Sequence, residues 1–260
     1  MSHLRKLYII LFIGILIIIT GCQSDKENQQ KELTVSAAAS LREALEEAGQ
    51  KYMDDNPGIK LIYNFGGSGS LQQQISHGAP VDIFISAAED KYNQLIAKDR
   101  IDKNHSAQLL GNELVLILPK EEHSIESLDD LLKTDIKRIA IGTPETVPAG
   151  QYARQTFIST GLWSRLESKI INTKDVRQVL SYVETANVDA GIVYKTDAII
   201  SDKIKMVQIS GHDLHDPIIY PAGVVSSSQN VDEAIQFFEF LRSQEAMDIF
   251  KKYGFTAALD

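Results

Sequence analysis

The segment Asn64-Phe65-Gly66-Gly67-Ser68-Gly69-Ser70-Leu71 joins the end of an apolar run to the start of a helical one. Lys60 to Phe65 reads as a strand, and Leu71 and Ile75 open a helix at the spacing of one helical face. Three glycines lie between them and let backbone amides approach a ligand with no Cβ in the way. The first turn of a helix leaves several N–H groups without intrahelical acceptors at the positive end of its dipole, so this turn can hold an anion. No Lys-Ser or Lys-Thr follows, which excludes a Walker loop, and Ser70 stands where a nucleophile elbow needs glycine. Taken alone, the segment reads equally as a plain turn with solvated serines. The rest of the chain decides between the two.

On the N-terminal side, Leu33 to Ala37 alternates as a strand. Ser40 is then followed by Leu41, Ala44, Leu45, Ala48 and Tyr52 at helical spacing. Ser40 with Glu43 forms the pattern of a capping box, which predicts a helix starting at Ser40. On the C-terminal side, Val81 to Ile85 is a strand, and Tyr92, Leu95 and Ile96 mark a helix. Alternation of strand and helix predicts an α/β fold with a mainly parallel sheet covered on both faces.

A second series begins at Leu114 to Pro119. It contains a helix through Ile125, Leu128, Leu131 and Leu132, a strand from Arg138 to Ile141, and a helix from Tyr152 to Phe157 closed by Gly161. Strand Ile170-Ile171, a helix from Val176 to Val183 and strand Ala190 to Tyr194 follow. Strand Ile218 to Val225 matches Leu114 to Leu118 in apolar character. Two helices end the chain, and their aromatic residues Phe237, Phe238, Phe240 and Phe250 read as core. If strands 114–118 and 218–225 both pass between domains, the C-terminal helices return to the first domain and the middle segment is an insertion. The predicted organisation is two α/β lobes joined by a two-strand hinge: residues 32–112 with 219–260, and the inserted 113–218. A ligand would then sit between the lobes, at the carboxyl ends of the strands.

At the N-terminus, His3, Arg5 and Lys6 precede an uninterrupted apolar run from Leu7 to Ile19 and then Thr20-Gly21-Cys22. This describes a secretory signal over 1–21, too short for a comfortable membrane span. Residues 22–31 carry no apolar period and read as a flexible tether. Cys22 is the single cysteine, so no intrachain disulfide forms. Removing 1–21 takes away Arg5 and Lys6 and no acid, shifting the net charge from −9 to −11. An acidic chain of this kind is unsuited to nucleic acid, and it must bind any anion through local dipoles and not its overall field.

The chain resembles the molybdate-binding proteins of ABC importers, within the type II periplasmic-binding-protein fold. The resemblance runs over 32–260. It is carried by Ala37-Ala38-Ala39-Ser40-Leu41, Phe65 to Leu71 with Gln74-Ile75, Gly78 to Ala87, Val147-Pro148-Ala149-Gly150-Gln151-Tyr152-Ala153, Asp175-Val176-Arg177, Gly191-Ile192-Val193-Tyr194 and Phe250 to Phe255. Each motif is weak alone; their order along the whole chain carries the signal. The resemblance implies a monomeric solute-binding lipoprotein with no cofactor and no free metal cation. It would capture molybdate or tungstate for a membrane permease, and a lipid on Cys22, in a lipobox-like Ile19-Thr20-Gly21-Cys22, would anchor it to the outer face of the cell membrane.

The resemblance further implies that the oxyanion is held by the hydroxyls of Ser40, Ser68 and Tyr194 and by backbone amides at Ala149 and Val176. Ser70 is an alternative to Ser68. A site made only of donors suits a dianion with no proton, such as molybdate, tungstate or sulfate, and suits hydrogen phosphate poorly. Two rivals remain. A sulfate-type or other oxyanion receptor would use the same fold. An exported serine hydrolase would pair Ser68 with a histidine, but His77, His105, His123, His212 and His215 lie in polar stretches away from the site motifs. The run His212-Asp213-Leu214-His215-Asp216 reads as a solvated turn and offers no third metal ligand.

Overall fold

The computed structural model describes residues 30–122, 124–209, 211 and 213–258. The signal segment, Cys22, His123 and His212 lie outside the described residues. The strands are β1 (Lys31–Ala38), β2 (Ile59–Gly66), β3 (Ile83–Ile85), β4 (Ile101–Gly111), β5 (Leu114–Pro119), β6 (Ile139–Gly142), β7 (Ile170–Thr173), β8 (Ala190–Tyr194), β9 (Ile204–Gln208), β10 (Ile219–Val225) and β11 (Thr256–Ala257). They form two sheets, with orders β11-β4-β10-β3-β1-β2 and β7-β6-β8-β5-β9. The principal helices are α1 (Arg42–Asp55), α2 (Ser68–Ser76), α3 (Glu89–Ile96), α4 (Pro148–Ser159), α5 (Val176–Glu184), α6 (Lys195–Ala198), α7 (Val231–Leu241) and α8 (Gln244–Lys252).

Each sheet has a parallel part and an antiparallel part. β1 runs parallel to β2 and β3, and β6 runs parallel to β7 and β8. β10 is antiparallel to β3 and β4, and β5 is antiparallel to β8 and β9. The expectation of a mainly parallel sheet is corrected to a mixed one. Chain segments that come back from the other sheet enter without a crossover helix, and a strand paired without such a crossover can run antiparallel.

The parallel strands set the position of the site. β1, β2, β6, β7 and β8 all end at turns leading into helices, so their carboxyl ends gather helix starts on one side of each sheet. Leu33, Val35 and Ala37 of β1 are fully buried, as a strand with neighbours on both sides and helices on its faces requires. The C-terminal helices pack on the first sheet's lobe: Tyr52 of α1 lies 4.9 Å from Phe237 and 5.2 Å from Phe240, ring centre to ring centre.

One local reading is corrected, and two strands were not read at all. The helix expected through Ile125 to Leu132 is only a 3-10 turn at Asp129–Leu132. The Asp130 carboxylate accepts the backbone N–H groups of Glu126 and Ser127, and that local bonding competes with a helix while Ile125 and Leu131 are still buried. β4 and β9 are strands without a strand-like sequence. Asp102 to His105 is polar because this part of β4 is largely exposed, and β9 is an edge strand. Finally, the two strands considered for the hinge, β5 and β10, each adjoin one of the passages between the sheets. β5 pairs only within the second sheet and β10 only within the first, so the chain passes between sheets at Asn112–Glu113 and again within 209–218.

Candidate functional site

A small cavity lies between the two sheets' helix starts. Its walls are Ala38, Ala39, Ser40, Gly66, Gly67, Ser68 and Ala87 from the first lobe, and Val147, Pro148, Ala149, Val176 and Tyr194 from the second. All five residues expected to hold a ligand, Ser40, Ser68, Ala149, Val176 and Tyr194, line this one space. Ser70 does not: it faces a surface depression with Gln73, Gln74 and His77. No charged side chain and no histidine is among the lining residues.

Helix starts supply the backbone donors. Ser68 is the first residue of α2 after Gly67, Ala149 follows Pro148 at the start of α4, and Val176 is the first residue of α5. Amides in these first turns have no acceptor within their own helix. Asp175 caps α5 by accepting from the Gln178 amide at 2.9 Å, which leaves the Val176 amide to the cavity. Proline at the first position of α4 forfeits only an N–H that the helix could not have used.

The expected capping box at Ser40 is not formed. Ser40 lies in a 3-10 turn, Ala39–Leu41, and α1 begins at Arg42 with no side-chain cap. The Ser40 hydroxyl is 2.9 Å from the hydroxyl of Tyr220. Glu43 pairs instead with Arg177 of the other lobe. A guanidinium within reach attracts a carboxylate more strongly than a single amide does, and Tyr220 gives the serine a buried partner.

Ser68 is poised as a donor. Ser68 Oγ accepts the Ala87 N–H at 2.9 Å, so its own proton is free to point into the cavity. Tyr194 is fully buried, and its hydroxyl reaches the Ala87 carbonyl only at 3.5 Å, the outer limit of a hydrogen bond. Burial, then the nearby Tyr220, Tyr152 and Asp197, push the Tyr194 phenol well above its ordinary range. It stays protonated and remains a donor.

The lobes touch around this cavity. The Gly69 amide donates to the Thr146 carbonyl at 2.9 Å. A Cβ on Gly67 would come within 2.8 Å of the Thr146 carbonyl oxygen, and one on Gly69 within 2.8 Å of Thr146 Cα, so both positions demand glycine for close approach. Arg177 reaches across to donate to the carbonyls of Ala39 at 3.2 Å and Ser40 at 3.4 Å. Behind it, Arg177 Nε is 2.9 Å from Oδ1 of the fully buried Asp197.

Sequence reasoning missed Tyr220, Asn112, Asp197 and the linking role of Arg177. Tyr220 sits in an apolar strand and looks like core; only the buried phenol, needing a partner, could have marked it. Of the polar run near residue 215, the His215 ring nitrogen Nδ1 lies 2.7 Å from the Asp216 carbonyl oxygen. Among the described residues, no group of three His, Cys, Asp or Glu could hold a metal ion.

A family model described as bacterial extracellular solute-binding protein matches residues 33–256. The chain is 48% identical over 246 residues to a putative ABC transporter substrate-binding lipoprotein of Bacillus subtilis, YvgL, covering 93% of this chain and 94% of that protein. It is 36% identical over 233 residues to the molybdate-binding protein ModA of Haemophilus influenzae, covering 87% and 90%. Among solved structures, the substrate-binding domain of a putative molybdenum ABC transporter from Clostridium difficile superposes with a TM-score of 0.67 at 40% identity, covering 88% of this chain and 99% of that one.

Proposed function

The chain belongs to the bacterial extracellular solute-binding proteins, the substrate-binding components of ABC transporters, and on that premise we propose that it captures molybdate, and tungstate of the same shape. In this reading Ser40, Ser68 and Tyr194 donate through their hydroxyls and Ala149 and Val176 through their amides. The lobes are taken as 32–112 with 219–260, and 113–218. A lipid on Cys22 holds the protein at the outer face of the membrane, where it acts as a monomer and passes the anion to the permease.

The observation that carries the proposal is the chemistry of the cavity wall: neutral donors from both lobes, no charged side chain, and the Ser68 proton left free. Donors fixed in place at helix starts stabilise a fully ionised oxyanion without a counter-charge. Such a wall holds no carboxylate or imidazole to take a ligand's proton. The names of the relatives similar to this chain point to the same class of anion.

Calorimetric titration of the purified protein with molybdate, tungstate, sulfate and hydrogen phosphate tests it. The proposal expects the two metal oxyanions to bind far more tightly than hydrogen phosphate. Tight phosphate binding, or sulfate binding as tight as molybdate, would reassign the ligand.

A further inference from the structure

A chain of hydrogen bonds leads from the passage between the sheets to the cavity wall. Asn112 lies where the chain leaves β4 for β5, and its Oδ1 accepts the Glu113 amide at 2.8 Å. That bond fixes the orientation of the side-chain amide, so its Nδ2 is the group that faces the interior. Nδ2 donates to Thr196 Oγ1 at 2.9 Å and to the Tyr220 hydroxyl at 3.1 Å. Tyr220 is fully buried, and its hydroxyl is also 2.9 Å from Ser40 Oγ.

Either hydroxyl could donate in the last bond, and the groups around Tyr220 bear on its direction. Tyr220 has one hydroxyl proton, and of its polar neighbours the Asn112 amine is a donor only, whereas the hydroxyls of Ser40 and Tyr194 can accept. We take Ser40 Oγ, at 2.9 Å, as the acceptor of the phenol. Were the bond reversed, the Tyr220 O–H would be left with the Tyr194 hydroxyl to turn to, and Ser40 would turn lone pairs toward the cavity. Burial, first, and Asp197 push the Tyr220 phenol well above its ordinary range, so this proton is not lost.

We propose that Tyr220, oriented by Asn112, is a specificity-determining residue: it occupies the acceptor side of Ser40 and thereby makes that serine a donor to the ligand, favouring oxyanions that carry no proton. The inference rests on the proposed oxyanion site. Tyr220 touches no ligand in this scheme and acts through Ser40 as a positioning residue. Without it, the Ser40 hydroxyl could rotate and accept a hydrogen bond from the O–H of a ligand such as hydrogen phosphate.

Sulfate and hydrogen phosphate are a matched pair for the test, since at pH 8 both are tetrahedral dianions of similar size and differ by one proton. Their affinities are read by displacement of molybdate from the purified full chain and from its variants, with thermal melting as a check on folding. The wild type should bind molybdate and prefer sulfate. Tyr220→Phe should narrow the sulfate preference by roughly tenfold, the weight of one hydrogen bond to a charged group. Asn112→Ala should narrow it in the same sense, and reads the same relay should Tyr220→Phe not fold. In a Ser40→Ala background, Tyr220→Phe should leave the preference unchanged, whereas a general packing defect would still show.

A wild type that binds molybdate but shows an unaltered sulfate preference in both variants would overturn this inference and leave the proposed function standing. A wild type indifferent to the ligand proton would overturn it as well. Failure of the wild type to bind molybdate at all would overturn the proposed function, and the inference with it.

Discussion

At the scale of single residues, the proposed site divides its work among groups that do not titrate near neutrality. Each hydrogen bond to a charged oxygen contributes about 1.5 to 3 kcal/mol, so Ser40→Ala, Ser68→Ala or Tyr194→Phe should each weaken molybdate binding roughly tenfold to a hundredfold. His215→Ala should leave it unchanged. Calorimetry on the four variants checks this, and the pattern is contradicted if the histidine change abolishes binding while the serine changes are silent. Ser40, Ser68, Ala149, Val176 and Tyr194 were named from the resemblance; what the sequence itself marks, with glycine, proline and capping residues, is that Ser68, Ala149 and Val176 lie at helix starts. The partners of those residues were not legible. Tyr220 stands 180 positions from Ser40, and no local pattern connects a tyrosine in an apolar strand with a serine in the first motif. Glu43 was misread for the same reason: a capping box is judged locally, while its real partner, Arg177, comes from the other lobe.

At the scale of elements, two contacts between lobes lend themselves to prediction. Gly69 lies in the first turn of α2, where alanine is normally the better helix former, yet a Cβ there would stand 2.8 Å from Thr146 Cα. Gly69→Ala should leave the melting temperature nearly unchanged and weaken molybdate binding by at least about tenfold, because the lobes could no longer meet around the ligand. A variant that binds as the wild type would show that this approach is dispensable. The second contact is the Arg177–Asp197 pair between α5 and α6. Burial raises the Asp197 carboxyl from 3.8 to about 7, against the opposing pull of Arg177 and with a further push from Glu43 and Asp175. The single Nε–H of Arg177 points to Ala39, and neither Asp197 oxygen has a hydrogen bond of good geometry, which is why the cation does not win. The folded protein holds this proton to higher pH than the unfolded chain does. Its contribution to stability is therefore complete below about pH 3.8 and lost as pH rises through about 7. Melting temperatures measured from pH 4 to 8 should fall more steeply for the wild type than for Asp197→Asn. Equal slopes would place the titration elsewhere. The elements themselves were mostly readable from apolar periodicity. The exceptions were those whose apolar residues are buried from a loop, as at Ile125 and Leu131, and those with an exposed face, as in β4 and β9.

At the scale of the whole molecule, the proposed donors are shared between lobes connected at Asn112–Glu113 and through 209–218, so ligand binding and lobe closure are expected to be one event. Small-angle scattering should give a smaller radius of gyration with molybdate than without it; tight binding with an unchanged radius would mean that the cleft is closed throughout. At the N-terminus, Cys22→Ser should release the protein from membranes or leave an uncleaved precursor, and fatty-acid labelling that persisted in that variant would remove Cys22 as the anchor. Net charge runs against the proposed ligand: at −9 for the whole chain the long-range field repels a dianion, which leaves attraction to the helix starts at short range. The two-lobe order was legible from two series of strand–helix units with a return at the end. How β5 and β10 pair was not, because both are apolar along their full length and nothing in that apolar character says which strands they join. The central claim, that an oxyanion is bound in the cavity between Ser40, Ser68, Ala149, Val176 and Tyr194, is tested most directly by crystals of the protein grown with molybdate, in which anomalous scattering locates the molybdenum. The account predicts a single strong peak within hydrogen-bonding reach, through its oxygens, of those five residues. A peak at the loop of Asp213, His215 and Asp216, or anywhere outside the cavity, would contradict it.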